Sequence, residues 1–117
     1  MIINQVGGGA EKVLKTEIFT QSGNWTCPAG VEKAFVRLFG GGGGGNQYGG
    51  GGGGYMAYSE LDVTPGTSYP VTIGSGGYGA NGTLSASAGG ITSFGTLLSA
   101  NGGGKATNEK AGSGGSG

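Results

Sequence analysis

Two runs of six glycines constrain this chain more than any other feature of its sequence. They occupy residues 40–45 and 49–54 and are separated only by Asn46-Gln47-Tyr48. Glycine loses more backbone freedom on folding than any other residue, and it has no side chain whose burial could offset that loss. Each run is therefore either a mobile loop or part of a tightly hydrogen-bonded assembly.

The ordered alternative is the polyglycine II conformation. A helix is disfavoured because each glycine costs it roughly 1 kcal/mol relative to alanine. Polyglycine II shares the geometry of polyproline II, with about three residues per turn and a rise of about 3.1 Å per residue. Its backbone N–H and C=O groups point outward, so neighbouring rods can bond to one another. The equal lengths of the two runs, and the strands predicted on both sides, favour packed rods over a mobile hairpin tip. Residues 74–82 and 102–104 could add further rods.

The segments between the glycine runs are those of a folded domain. Glycine accounts for 33 of the 117 residues, which by itself suggests low complexity. Aromatic and branched apolar side chains nevertheless recur throughout, and disordered chains are usually poor in them. A chain of this length is expected to form one domain with one modest core.

Alternating apolar and polar residues predict strands and no helix. The strand from Val31 to Phe39 carries apolar side chains on both faces, so we expect it to be central and covered on both sides. The sequence Thr64-Pro65-Gly66-Thr67 suits a type II turn, and we expect a hairpin between its flanking strands. The predicted strands are residues 12–20, 25–27, 31–39, 55–63, 68–73, 90–94 and 96–100. The expected fold class is all-β: a small β-sandwich with extended polyglycine II segments in its loops.

The same reading divides the chain into three parts. Residues 1–13 are interpreted as an N-terminal lead-in, with a break at the glycines of residues 7–9. Residues 14–104 form the glycine-rich β domain. Residues 105–117 are rich in glycine and serine and lack periodic apolar residues, so a flexible end is expected.

Charge and composition argue against several functions. Lys plus Arg and Asp plus Glu number six each, so the formal net charge is zero. There is no basic field for nucleic acid and no Arg-Gly-Gly pattern, which argues against an RNA binder. The apolar stretches are too short to span a membrane and the first residues do not resemble a signal peptide, so no membrane insertion is expected.

The residues that most enzymes need are scarce. The chain has no histidine, and Cys27 is its single cysteine. One chain therefore cannot assemble an intrachain disulfide, a zinc site or a histidine-activated nucleophile. Cys27 is interpreted as a packed structural thiol. We expect no enzymatic activity, no cofactor and no metal.

The candidate binding residues lie between the glycine runs. Asn46, Gln47 and Tyr48 occupy the apex between the two rods, as far from the core as the rods extend. Two amides and a phenol suit the recognition of sugars or polar surface groups. Tyr78 and Asn81 occupy a comparable place in the next glycine segment. The alternative is that these residues only cap the turns of the rods.

The order of the motifs resembles the glycine-rich domains of phage and prophage tail proteins. The resemblance covers roughly residues 16–104. It is carried by IFTQSGNWTCPAGV (18–31), FVRLF (35–39), the glycine runs, VTPGTSYPVTIG (63–74), TSFG (92–95) and ANGGG (100–104).

That resemblance implies a small β-sandwich with polyglycine segments on a tail fibre of the virion. The chain is also similar to the tail-fibre-tip adhesins of T-even-like phages, in which polyglycine rods pack as a sandwich and the loops between them bind the host receptor. Those adhesins carry longer and more numerous runs. The implied partners are a bacterial host surface protein or glycan and other tail-fibre chains, with a homotrimer as one form of the parent fibre. A purely structural spacer and an ice-binding polyglycine bundle, which requires a regular face of small residues, are the alternatives.

Overall fold

The computed structural model describes residues 1–7, 13–80, 85–107 and 111–115. Within these ranges the chain forms eight β-strands and no helix. The strands are β1 (Ile2–Gly7), β2 (Val13–Ile18), β3 (Gly23–Thr26), β4 (Val31–Phe39), β5 (Met56–Asp62), β6 (Ser68–Thr72), β7 (Thr92–Phe94) and β8 (Leu98–Ala100).

These strands form two four-stranded sheets with antiparallel neighbours. The first sheet has the order β2-β1-β4-β5 and the second β3-β6-β7-β8. Ile3 and Leu38 of the first sheet and Trp25 and Phe94 of the second are buried in one core. The Phe94 ring lies 5.7 Å from that of Trp25, centroid to centroid, and contributes to an aromatic centre of the core. The all-β class and the sandwich arrangement are confirmed.

Strand β4 is covered on one face only, and the expectation of cover on both faces is wrong. Ala34, Val36 and Leu38 are buried, whereas Phe39 on the opposite face is 51% exposed. β4 is central within its sheet, between β1 and β5, but the second sheet packs against one side. On the uncovered face, the ring of Phe35 packs 6.1 Å from that of Tyr58 across the β4–β5 pair. Apolar residues on this face contact their strand neighbours rather than a second layer.

The type II turn is present, but the hairpin expected around it is wrong. Gly66 has a φ of 82°, and the Thr67 amide donates to the Thr64 carbonyl over 3.1 Å. This turn carries the chain from β5 in the first sheet to β6 in the second. Backbone bonds between Cys27 and both Gly66 and Thr67, at 2.8 and 2.9 Å, hold it against the end of β3. A turn that changes sheets uses the same residues as a hairpin turn, so the sequence could not distinguish the two.

Described residues near both ends of the sequence take part in the fold. The interpretation of the N-terminal residues as a lead-in missed β1, which lies between β2 and β4 and buries Ile3 completely. The flexible end expected from residue 105 onward is also corrected for the described residues. Ala106 is buried, and the Gly112 amide donates to the Gly50 carbonyl over 2.8 Å. The local sequence of neither segment indicates its place in the fold, because each is held by partners distant in sequence.

Beyond one end of the sandwich, the glycine-rich segments form extended rods. Among the described residues there are six: rod 1 (40–45), rod 2 (49–55), rod 3 (74–80), rod 4 (86–90), rod 5 (101–106) and rod 6 (111–115). Rod 1 continues from β4 and rod 2 leads into β5. Odd-numbered rods therefore run away from the sandwich and even-numbered rods return. The result is an elongated molecule with extents of 54 × 20 × 19 Å.

Hydrogen bonds around rod 1 repeat every three residues. Gly40 and Gly43 donate to rod 2, Gly41 and Gly44 donate to rod 4, and the carbonyls of Gly42 and Gly45 accept from rod 3. The carbonyls of Gly41 and Gly44 also accept from rod 5. A helix with three residues per turn directs successive residues to different neighbours in this way. The segments therefore adopt the polyglycine II arrangement.

The rods pack in two layers of three, which we call the rod slab. Rods 3, 1 and 2 form the first layer, and rods 4, 5 and 6 form the second. Bonds within the layers include Gly43 to Gly52 at 2.8 Å and Gly89 to Gly103 at 2.9 Å, each from N–H to carbonyl. Bonds between the layers include Gly52 to Gly104 at 2.9 Å. Backbone N–H and C=O groups that would otherwise be buried without a partner are thus hydrogen-bonded between rods.

Close approach of the rods requires glycine at the inner positions. A Cβ added at Gly44, which is buried, would clash with the carbonyl of Tyr78 in rod 3. One added at Gly103, also buried, would clash with the carbonyl of Gly52 in rod 2. Any side chain at these positions would force the rods apart and break the bonds between them.

Candidate functional site

The turn between rods 1 and 2 is closed by Asn46. Its side-chain Oδ1 accepts hydrogen bonds from the amides of Tyr48, at 2.8 Å, and Gly49, at 3.2 Å. Its own backbone amide donates to the Gly49 carbonyl at 2.9 Å. Asparagine favours such turns because its short side chain can replace a backbone acceptor. Asn46 therefore caps the rod pair, as the alternative interpretation of this residue proposed.

Asn46 also connects this turn to the end of rod 5. Its Nδ2 donates to the carbonyl of Thr107, just past the end of rod 5, over 3.0 Å. The amide of Ala106 donates in turn to the Gly44 carbonyl at 2.9 Å. The ends of rods 1 and 5 are thus joined at the far end of the slab, which we call the tip.

Gln47 and Tyr48 are the exposed residues of the turn. Both project from the tip, and Tyr48 is 56% exposed. Because Asn46 uses both side-chain polar atoms inside the fold, the amide of Gln47 and the phenol of Tyr48 are the groups that face solvent. A phenol combines an apolar ring with a polar end, and an adjacent amide supplies a donor and an acceptor. Such a pair can hydrogen bond to hydroxyl groups while the ring packs on a sugar or peptide.

Tyr78 does not lie in the turn. It is 62% exposed on the flank of rod 3, at the level of Gly44 in rod 1. Its backbone is fixed by Ser87 of rod 4, whose amide donates to the Tyr78 carbonyl at 3.0 Å. The structure therefore brings Asn46, Gln47 and Tyr48 together and places Tyr78 along the side. Asn81 lies outside the described residues, so its assignment stays a prediction.

One surface feature was missed by the sequence interpretation. A groove of about 300 Å³ lies between β5 and β8, the edge strands on the same side of the two sheets. It is lined by Tyr55, Met56, Ala57, Tyr58, Leu98 and Ser99. Alternation through residues 55–63 predicted a strand there, but the proximity of β8 depends on how the two sheets pack.

The described residues offer little acid–base or metal chemistry. Among them no cluster of three His, Cys, Asp or Glu could hold a metal ion. The Sγ of Cys27 is buried and donates to the Val31 carbonyl at 3.2 Å, and burial raises the pKa of the thiol. A thiol with a raised pKa is a poor nucleophile at neutral pH, which fits a packing role. In the part of the chain that the structure covers, no helix has the length and apolar character needed to cross a bilayer.

Comparison with known proteins identifies a family. A family model described as a glycine-rich domain matches residues 16–117, from β2 to the end of the chain. Neither a curated protein nor a solved structure matches this chain significantly. The matched region contains the second half of β2, all of β3 to β8 and the rod slab, and β1 lies before it. On this extent of match, the chain belongs to the glycine-rich domain family.

Proposed function

We propose that this protein is a non-enzymatic module of a phage tail fibre that presents its tip to the surface of a bacterial host. The observation that carries the proposal is the placement of exposed Gln47 and Tyr48 at the far end of a hydrogen-bonded slab. A host surface protein or glycan is the partner that an amide and a phenol suit. The resemblance to tail-protein domains supports a place on the virion.

The slab favours recognition because it holds the turn in one position. Rod 1 is bonded to rods 2, 3, 4 and 5, and Asn46 links its end to Thr107. A site ordered before binding loses less conformational entropy when a ligand is bound. A mobile glycine hairpin of the same length would lose much of its binding free energy to ordering.

Binding to cells and glycans tests the proposal. The probes are a printed glycan array and fixed cells of a panel of bacterial species. The variant combines Gln47→Ala with Tyr48→Ala, and the matched control is Tyr58→Ala, because Tyr58 is 60% exposed on the sheet rather than at the tip. We expect the tip variant to bind about tenfold or more weakly and the control to bind as the parent does.

Two results would reject the adhesive role. The first is the absence of binding by the parent protein to every cell type and glycan tested. The second is an equal loss in the tip variant and the Tyr58 control. Either result would favour a purely structural spacer in the tail fibre over an adhesive module.

Ice binding is a second candidate, and one observation favours it. The first layer of the slab carries exposed glycines, and an added Cβ would meet nothing within 4 Å at Gly50 or Gly53. Gly42 and Gly76 of the same layer are exposed as well. Exposed glycines at these positions are compatible with the face of small residues that ice binding requires. Thermal hysteresis of the purified protein tests this role, and it should disappear in a Gly50→Tyr, Gly53→Tyr variant.

A further inference from the structure

The outer face of the first sheet, which the second sheet does not cover, exposes large apolar side chains close together. β4 contributes Phe35 and Phe39, and β5 contributes Met56 and Tyr58. Phe39 is opposite Met56 in the strand register, and the rings of Phe35 and Tyr58 lie 6.1 Å apart, centroid to centroid. Single exposed apolar residues are common on protein surfaces, whereas adjacent ones are typical of a contact with another molecule.

Arg37 lies in the middle of these apolar side chains. It is two residues from both Phe35 and Phe39 along β4, and it is exposed and opposite Tyr58 of β5. Aromatic residues, methionine and arginine are the types that are most enriched in protein–protein interfaces relative to the rest of the surface. The combination on this face therefore indicates a protein partner.

Charges of opposite sign on this face are divided between the two strands. β4 carries Lys33 and Arg37, and β5 carries Glu60 and Asp62. The Nζ of Lys33 lies 3.3 Å from the Oε1 of Glu60, but the ion pairs among the described residues include neither Arg37 nor Asp62. A basic strand thus lies beside an acidic one, and one charge on each strand is available to a partner.

A second copy of the chain matches this pattern. Rotation by a half-turn about an axis parallel to the strands, between β4 and β5, places β4 of each copy over β5 of the other. Phe39 then lies over Met56 of the second copy, and Arg37 lies over Tyr58 beside the carboxylate of Glu60. Sulfur–aromatic and cation–π contacts favour the first two pairs. The face is therefore self-complementary, as a two-fold interface requires.

Other occupants fit this face less well. The backbone of β4 is already hydrogen-bonded to β1 on one side and to β5 on the other, so a peptide cannot add here as a strand. A wholly apolar partner would bury the guanidinium of Arg37 without an opposite charge, which costs free energy. A second copy supplies carboxylates from its own β5, and its apolar side chains meet those of β4.

We propose that the outer side chains of β4 and β5 form a two-fold interface through which two copies of this chain associate. An axis parallel to the strands preserves the strand direction, so both rod slabs extend from the same end of the dimer. Two strands from each copy make a small interface, and we expect a dissociation constant on the order of 10 µM. Assays at nanomolar concentration therefore measure the tip of the monomer, and this proposal is independent of receptor binding there.

Sedimentation equilibrium tests the association. The parent chain should change from monomer to dimer between about 1 µM and about 300 µM. Arg37→Glu places a carboxylate beside Glu60 of the second copy, and we expect at least tenfold weaker association. The matched control is Lys105→Glu, because Lys105 is an exposed cation on rod 5, outside this face, and its substitution makes the same change of charge. The control should dimerise as the parent does.

A mixture of two variants locates the interface. Arg37→Glu and Glu60→Arg each set like charges opposite one another in their own dimers, whereas the mixed pair has opposite charges at both symmetry-related contacts. We expect each variant alone to be largely monomeric and their equimolar mixture to associate within about threefold of the parent. A monomeric parent, a trimer in place of a dimer, undiminished association of Arg37→Glu alone, or no association in the mixture would overturn the proposal.

Discussion

The side-chain amide of Asn46 donates to the backbone carbonyl of Thr107, which is 3.0 Å away in space and 61 residues away in sequence. This bond joins the turn after rod 1 to the residue just past the end of rod 5. It shows that the residues at the tip have unequal roles, since Asn46 holds its own turn against Thr107 while Gln47 and Tyr48 face solvent. Substitutions at the tip should therefore separate stability from binding.

Removing the side chain of Asn46 should destabilise the slab without unfolding the sandwich. Asn46→Ala loses the two bonds to Oδ1 and the bond to Thr107. We expect a loss of about 1–2 kcal/mol in the free energy of unfolding, measured by urea denaturation. Asn46→Asp keeps the acceptor for Tyr48 and Gly49 and should lose less. Equal stability of Asn46→Ala and the parent would contradict the capping role.

Alanine substitutions at two positions of rod 1, Gly44 and Gly42, should have opposite effects on stability. Gly44→Ala places a methyl group against the Tyr78 carbonyl and should cost about 3 kcal/mol or more, since backbone must move. A Cβ added at Gly42 would have its nearest atom at 3.9 Å, and the φ of Gly42 lies outside the left-handed region. It should be neutral or stabilise by up to about 1 kcal/mol through the unfolded state. Thermal unfolding of both variants measures the contrast, and similar midpoints would argue against packed rods.

The turn between the sheets should depend on Gly66. Its φ of 82° is unfavourable for residues with a Cβ, although an added Cβ would meet no atom within 4 Å. Gly66→Ala should therefore cost about 1–2 kcal/mol through backbone strain alone. Gly66→Asn should cost less, because asparagine tolerates this region better. Chemical denaturation compares the two, and a larger loss for asparagine than for alanine would point to a steric cause instead.

Stability should fall at high pH because of Cys27. Burial raises the pKa of this thiol above its ordinary value of 9.0, so the folded state retains a proton that the unfolded state releases. The contribution is fully present below pH 9.0 and is lost as pH rises through the folded pKa. Urea denaturation between pH 8 and pH 10.5 should therefore show a steeper decline in the parent than in Cys27→Ala. Parallel declines in the two proteins would show that Cys27 does not contribute.

Much of the architecture was predictable from local sequence. Strand β4 runs from Val31 to Phe39, the bounds that alternation predicted. The turn at Gly66 and the short strands on either side of Gly95 were also expected, and both glycines have a positive φ. Polyglycine II followed from the cost of placing glycine in a helix or leaving it unpaired. Each of these properties depends on residues adjacent in the chain.

The tertiary structure decided which elements become neighbours. The short segment from Ile2 to Val6, with polar residues in its middle, does not show that it lies inside a sheet, and the turn at Gly66 does not show that it changes sheets. At the tip, the sequence placed Asn46, Gln47 and Tyr48 together, but the division of their roles depends on Thr107.

The sequence by itself therefore determined the kinds of elements and the need for glycine inside the slab, because conformational cost and side-chain alternation act over a few residues. Strand order, rod layers and the groove between β5 and β8 depend on which long-range arrangement buries the core and pairs the backbone groups of the whole chain. That arrangement depends on all of these contacts together, so it is seen only in the folded structure.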